Sequence, residues 1–560
     1  MESAQDAAAS SLGSRKTLPP RSVVRVSLRS RKAESALRWA TPAIFFLTAI
    51  LLLIVHGNRL VFTADEGFLL EPAQRMAEGA RPYLDFFGHL SPGSYWLQAL
   101  MFRLFGISLW TARLPVILDF SLQCALVYWV TARLASVRSA VAVLLMFAGF
   151  QIADPSFVTA QHRWDSVTLV FAGLCVGLEA LRRGAAWWVG SGALLAAAAW
   201  CTPSVVLVVA AEAVWLAASR ERRRALILFT AGVLAVTSLA LGALIIEGCL
   251  RAFCQQMLWL KRNYSAACMM PYGSIIGGYK PLFEGAAGPE WVLRFFLVLC
   301  VALPALLPPL AVVLWGIAIW RGKISAGERD VVFLLLLGMG ALVVAAFPRA
   351  DMFHLALVAA LPYGLAGSAA ARLMPPRLNG FLACGTIALA ALFALNYCSG
   401  WRAAGLVSTP IGTLRVNKGE IESVKGLLRD VRPGRSLFVY PYMPVFYFLT
   451  QAKNPTRFSF LAPGMMTRRE ESEALMALRA QPPEWVLHLE LTREEFVRVF
   501  PSGSGLPERF EILEKWLKDN YRPPEGPVTS VVGYQLWRRA SADGSVLSNK
   551  RTTERGGECF

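Results

Sequence analysis

The sequence is poor in charge. Only 17% of its 560 residues are Asp, Glu, Lys or Arg, whereas 55% are hydrophobic and the mean hydropathy is +0.46. A water-soluble chain of this size needs more polar surface to cover its core, so the composition excludes an ordinary soluble protein. Ten cysteines are present, but none form a CxxC pair, which removes the usual zinc and thioredoxin patterns. The chain does not open on an apolar run with a small-residue cleavage site, so no cleaved signal peptide is expected. No internal repeat is visible either, which argues against a transporter built from matched halves.

What the chain has in abundance is apolar runs, many near the 17–25 residues a bilayer span needs. They lie at 39–56, 110–131, 139–153, 165–181, 185–200, 204–219, 225–247, 291–320, 331–347, 354–371 and 380–397. The expected fold class is therefore an α-helical polytopic membrane protein of about eleven transmembrane helices. The formal net charge of +18 first suggests nucleic acid. Its placement says otherwise. Basic residues crowd residues 1–36 and the joints after every even-numbered run: Arg133 and Arg138, Arg182 and Arg183, Arg220 to Arg224, Arg321 and Lys323, Arg372 and Arg377. Such alternation is the positive-inside pattern and puts those joints in the cytoplasm, with no nucleic-acid partner. Segments 57–109, 154–163, 201–203, 248–290 and 348–353 then face outward.

Four regions follow. Residues 1–36 read as a disordered basic cytoplasmic tail and 37–397 as a transmembrane domain. Residues 398–540 read as a soluble α/β domain that an odd span count exports, and 541–560 as a disordered tail. Within 398–540, the runs 436–440, 484–490 and 531–539 read as strands, and 473–480 and 508–521 as helices. Cys249, Cys254 and Cys268 share one outward loop, where a disulfide is open but not dictated.

The first outward loop, 57–109, holds the densest chemistry. Asp65 and Glu66 stand just past the first apolar run, and Tyr83, Asp85 and His89 follow. A carboxylate at the membrane–water boundary can take a proton from an acceptor hydroxyl or hold a divalent cation against a phosphate. The competing reading is local, since Thr63 and Asp65 are both good helix-capping residues. Two other outward joints offer a cation beside a histidine and an acid: His162, Arg163 and Asp165, and Arg349, Asp351 and His354. Either guanidinium suits a phosphate, and either could equally form an interfacial ion pair. Lys261 and Arg262 lie among aromatics in the loop 248–290, which fits a lipid-phosphate contact or an interfacial anchor belt. Asp119 and Glu212 fall inside apolar runs and should face the bundle interior.

In order, Asp65–Glu66, Tyr83–Asp85, Ser91–Pro92 with Tyr95 and Trp96, Leu104–Gly106 and Arg113–Pro115 resemble the first outer loop of the glycosyltransferase C superfamily. The branch is that of protein O-mannosyltransferases and the lipid A aminoarabinose transferase. This chain has Ser91–Pro92–Gly93 where that family usually has two prolines. The run FVYPYMPVFYFLT (438–450) resembles a segment following the last span in the same group. The oligosaccharyltransferase WWD signature is missing, because Val189 follows Trp187–Trp188.

The resemblance implies a glycosyltransferase at the outer face of a bacterial inner membrane. Its donor would be a polyprenyl-phosphate-linked sugar, and its acceptor a glycan, lipid or protein. It implies Asp65, Glu66 and Asp85 as the catalytic acids. Substrate contacts fall to Tyr83, His89, His162, Arg163, Asp165, Lys261, Arg262, Arg349, Asp351 and His354. The resemblance fixes no cofactor and leaves a divalent cation open. The competing classes are a secondary transporter or lipid flippase, and a non-catalytic assembly protein.

Overall fold

The structure, a computed structural model, describes residues 31–152, 155–275, 278–499, 505–523 and 529–540. Of the two expected tails, only 31–36 are described, and they are helical rather than loose.

All eleven apolar runs are helical. The first is α1 (Arg31–His56). Two helices of the outward loop follow, α2 (Ala64–Ala77) and α3 (Pro92–Phe105). Next come α4 (Leu109–Leu134), α5 (Val137–Ile152), α6 (His162–Arg183), α7 (Trp187–Cys201), α8 (Val206–Ala217) and α9 (Arg223–Ile246). The loop helix α10 (Leu250–Trp259) runs through a π turn at Leu260–Tyr264 into one further turn, α11 (Ser265–Ala267). The bundle closes with α12 (Pro289–Trp320), α13 (Ala326–Val344), α14 (Met352–Leu357), α15 (Ala360–Leu373) and α16 (Pro376–Ala403).

Among the described residues, five helices are long and apolar enough to cross a membrane: Leu37–His56, Leu109–Leu134, His162–Arg183, Arg220–Ile246 and Pro289–Trp320. Shorter apolar helices pack among them. The run expected at 354–371 is broken into α14 and α15 at Val358, and so is not one continuous rod.

The bundle core is mainly aliphatic, with large aromatic side chains set into it. Phe120, Phe147, Trp164, Trp315 and Tyr363 are fully buried in it. Glu212 faces inward, as an acid in an apolar helix must, and accepts the Ser191 hydroxyl at 2.8 Å.

The C-terminal region carries the expected alternation. It begins with a hairpin, β1 (Gly405–Thr409) and β2 (Gly412–Val416), then α17 (Ile421–Asp430). There follow β3 (Leu437–Tyr440), α18 (Val445–Thr450), α19 (Arg468–Ala480), β4 (Trp485–His488), α20 (Arg493–Val499), α21 (Glu511–Asn520), β5 (Tyr521–Arg522), β6 (Ser530–Val531) and β7 (Tyr534–Arg539). Strands β3 and β4 are parallel. β7 pairs antiparallel with β4 on one side and with β5 and β6 beyond.

This region is not free-standing. Leu69, Leu70 and Ala73 of α2 share one core with Leu414, Phe446, Leu449 and Leu536. Helix α2 comes so close to α18 that a Cβ on Gly67 would lie 2.1 Å from the Val445 nitrogen. The Ser459 hydroxyl donates to Glu71 of α2, and Arg415 of β2 exchanges backbone hydrogen bonds with Asn58 and Leu60, at 2.8 and 2.9 Å. The first outward loop and the C-terminal domain therefore lie on the same side of the membrane.

Candidate active site

A cavity of about 1060 Å3 opens between the bundle and the C-terminal domain. Every segment assigned outward from its charge pattern contributes to it. Asp65 and His89 come from the first loop, His162 and Arg163 from the start of α6, and Ser204 from the α7–α8 joint. Lys261 and Tyr264 come from the π turn, and Arg349, Asp351 and His354 from the joint before α14. The C-terminal domain adds Tyr442, Ala462 and Met465.

Helix geometry separates the two acids at the start of α2. Thr63 is the cap, its hydroxyl accepting the Glu66 N–H at 3.4 Å, so Asp65 is not needed for capping. Successive helical residues point about 100° apart. Asp65 faces the cavity, and among the described residues its carboxylate makes no hydrogen bond or ion pair. Glu66 faces inward, wholly buried. It receives Arg113 Nε at 2.6 Å and Nη2 at 3.0 Å, together with the Ala160 N–H at 3.0 Å. Arg113 also donates to the His56 carbonyl at 3.3 Å. Glu66 thus ties the ends of three membrane helices to α2 and is not a cavity-lining acid.

Opposite Asp65 stand the cations. Arg349 Nε donates to Asp351 at 3.3 Å, the ion pair that was the alternative reading, yet the guanidinium also lines the cavity. Asp65 and Asp351 are both close enough for their charges to act on Arg349 and Arg163. Arg163 and Lys261 have no side-chain ion pair among the described residues. Asp351 holds His354, whose Nδ1 lies 2.8 and 3.0 Å from the two carboxylate oxygens. That nitrogen therefore carries the proton, and Nε2 is the ring's remaining polar atom. Burial raises the Asp351 pKa, but the His354 hydrogen bond and the His354 and Arg349 charges outweigh it and bring the pKa to about 2. His162 Nδ1 sits 2.8 Å from the Thr202 hydroxyl, which donates onward to Ser166. Burial alone lowers the His89 pKa to about 4, so this imidazole is neutral at pH 7.

Several expected site residues lie elsewhere. Asp85 is an outer-surface acid paired with Arg81 at 3.2 Å; that hydrogen bond lowers its pKa. Tyr83 is buried with its backbone in the left-handed region (φ 67°), its hydroxyl donating to the Leu90 carbonyl at 2.8 Å. Gln256 holds the same turn by donating to the Tyr83 carbonyl at 2.7 Å. Asp165 points into the bundle beside Asp119, and Arg262 is exposed away from the cavity. Cys249, Cys254 and Cys268 are free, so no disulfide forms among them.

Among the described residues, no three His, Cys, Asp or Glu side chains converge as metal ligands would. Tyr264, one of the aromatics interleaved with Lys261 and Arg262 in the loop 248–290, lines the cavity as a lipid-phosphate contact would. Among the lining residues that sequence reasoning missed is Tyr442, which belongs to the C-terminal domain, where nothing local signals its partner.

Residues 89–246 match the model of the family described as dolichyl-phosphate-mannose-protein mannosyltransferase. No curated protein matches the chain in sequence. Among solved structures, it is similar to ArnT from Cupriavidus metallidurans bound to undecaprenyl phosphate. Identity is 18% and the TM-score 0.43, over 67% of this chain and 65% of that one, so a little under two thirds of ArnT is spanned. It is also similar to the oligosaccharyltransferase AglB from Archaeoglobus fulgidus, in complex with an inhibitory peptide and a dolichol-phosphate. Here identity is 10% and the TM-score 0.45, over 81% of this chain and 69% of that one. Neither likeness is close enough to carry residue roles across. The matched stretch takes in Ser91–Pro92, Leu104–Gly106 and Arg113–Pro115 but not Asp65–Glu66 or Tyr83–Asp85: over residues 89–246 this chain is similar to glycosyltransferase C membrane proteins of the protein O-mannosyltransferase type.

Proposed function

We propose that this protein is an integral-membrane glycosyltransferase that moves a sugar from a polyprenyl-phosphate donor to an acceptor hydroxyl on the outer face of a bacterial inner membrane. One observation carries the reading: an unpaired carboxylate, Asp65, faces Arg163, Lys261 and Arg349 across a single cavity. In this reading the cations receive the donor phosphate through charge-assisted hydrogen bonds. Val206, Leu207 and Phe347, apolar, exposed and on the cavity wall, offer the polyprenyl chain a path into the bilayer. Asp65 takes the proton of the acceptor hydroxyl as its oxygen bonds to the sugar's anomeric carbon. The bond from that carbon to the phosphate breaks, and its electron pair leaves on the phosphate oxygen, where the arginines hold the charge. The acceptor is a glycan, lipid or protein. The membrane domain covers 37–397, the N-terminus is cytoplasmic, and the C-terminal domain is extracytoplasmic.

General-base catalysis is worth about 10²–10⁴-fold. Asp65→Asn, nearly the same shape but unable to take the proton, should therefore abolish measurable transfer in a reconstituted assay. Insertion and thermal stability should be unchanged, because Asp65 has no structural partner. Near-normal transfer by the stable variant would overturn the assignment.

A further inference from the structure

A second cavity, of about 300 Å3, lies in the C-terminal domain. Tyr440 and His488, the last residues of the parallel strands β3 and β4, both line it. The space outside the carboxyl ends of parallel strands is where open α/β sheets place ligands, and this volume is at the small end for ligand pockets. Only one thickness of chain separates it from the larger cavity. Tyr440 and Pro441 face the small cavity while Tyr442 faces the large one, and Pro463 and Ala462 divide in the same way.

The lining has no net charge. Arg493, Arg509 and Lys518 are matched by Glu490, Glu508 and Glu514. Most are already engaged: Lys518 with Glu490 at 3.2 Å, Arg493 with Glu508 at 3.3 Å, and Glu514 with the Tyr440 hydroxyl at 2.9 Å. Such a wall has no field to hold a phosphate or a free cation. It does have a dense set of fixed donors and acceptors. Aromatic side chains complete it: Tyr440, Phe496 and His488 line it, with the His488 ring held between Trp537 at 4.3 Å and Tyr440 at 5.7 Å. Donors and acceptors in balance beside ring faces suit a neutral polyol, which has hydroxyls on its edges and C–H groups on its faces.

We propose that this cavity binds a sugar ring of the acceptor, which makes the acceptor a glycan. The proposal rests on the transferase reading for the word acceptor, but the sugar-binding step does not need catalysis.

The test uses the full chain in detergent and saturation-transfer NMR. The probes are neutral glucose, galactose and mannose di- and trisaccharides, together with glycans released from the host cell envelope. Binding should be seen with wild type and with Asp65→Asn, and should weaken tenfold or more in Glu514→Gln and Lys518→Ala. In the transfer assay the same two variants should raise the acceptor KM with donor KM and kcat unchanged. No saturation transfer from any probe, or equal binding by the two variants, would overturn the proposal and leave the transferase reading standing. Sugar binding that depends on Glu514 and Lys518, in a protein that never transfers, would support the cavity and defeat the transferase reading instead.

Discussion

Two basic cavities lie at opposite ends of the same helices. The outer one begins at His162 and Arg163, the inner one at Arg182, and α6 between them spans roughly 30 Å at a rise of 1.5 Å per residue. The inner cavity, about 450 Å3, is lined by Arg133, Arg182, Lys323 and Arg372 beside Trp129. There each arginine has its acid. Arg133 meets Glu179 at 2.7 Å, Arg182 meets it at 3.2 Å, and Arg372 meets Glu328 at 2.6 Å. In the outer cavity Arg349 is paired with Asp351, but Asp65, Arg163 and Lys261 have no ion pair among the described residues. Both sites gather cations, and they differ in how many of those cations already have an acid partner. Paired charge fastens the inner helix ends together; in the proposed reading, the unpaired Arg163 and Lys261 at the outer ends are what a donor phosphate would meet.

The largest expected effect crosses that line. Glu66 belongs to the outer loop but is paired like an inner residue, so Arg113→Gln strands a buried carboxylate. Removing one partner of a buried pair costs about 3–5 kcal/mol. Thermal unfolding in detergent should show a large loss of stability, with Glu66→Gln milder; an unchanged Tm would make the pair dispensable.

Acid comes next. The inner lining has no histidine, whereas the outer one has His89, held neutral by burial with a pKa of about 4. The unfolded chain takes that proton near pH 6.5 and the folded chain only near 4. The stability associated with neutral His89 is thus complete above pH 6.5 and is lost as pH falls towards 4, on the order of 2–3 kcal/mol. His488, also lowered to about 4 by burial, adds to the same window. His89→Gln should flatten part of the slope of Tm between pH 6.5 and 4; an unaltered slope would remove His89 as a source.

Arg349→Ala should raise the donor KM about 10–150-fold, the equivalent of losing a charge-assisted hydrogen bond of roughly 1.5–3 kcal/mol, with folding intact. Unchanged donor dependence would return Arg349 to a structural pairing with Asp351. The smallest effect is the matching change on the inner side. Glu328 and Arg372 are partly exposed, so Glu328→Gln should cost at most about 1 kcal/mol of stability and leave donor KM unmoved. A donor defect there would erase the distinction between the two cavities.

The helices were legible because apolar length and basic joints are local signals. The sites of β3, β4 and β7 were legible for the same reason, each being a short apolar run between turn residues. The hairpin β1–β2 was not. GLVST and GTLRV alternate weakly, and the hairpin's partner is the backbone of Asn58 and Leu60, more than 340 residues earlier. Among the residues that line the cavity, Asp65 and Arg349 could be read as outward-facing from their position at a membrane boundary. The opposite fates of Asp65 and Glu66 could not, because adjacent acids look alike until Arg113, 47 residues away, takes one of them. Asp85 failed for the reverse reason: an arginine four residues before it, Arg81, was enough to occupy it on the surface.

Gly67 carries a last consequence. Because α2 lies against α18, the carboxylate proposed as base is mounted on the soluble half of the molecule, and the cations opposite it on the membrane half. A nascent chain that has reached only Ala403 already has Arg163, Lys261 and Arg349, but Leu69, Leu70 and Ala73 still lack their covering strands. The shelf under Asp65 is finished only when β7 emerges, the last described element to be made. Truncation within the final third of the chain would therefore remove the support of α2, and with it the placement of the carboxylate proposed as base, although that residue is among the first hundred.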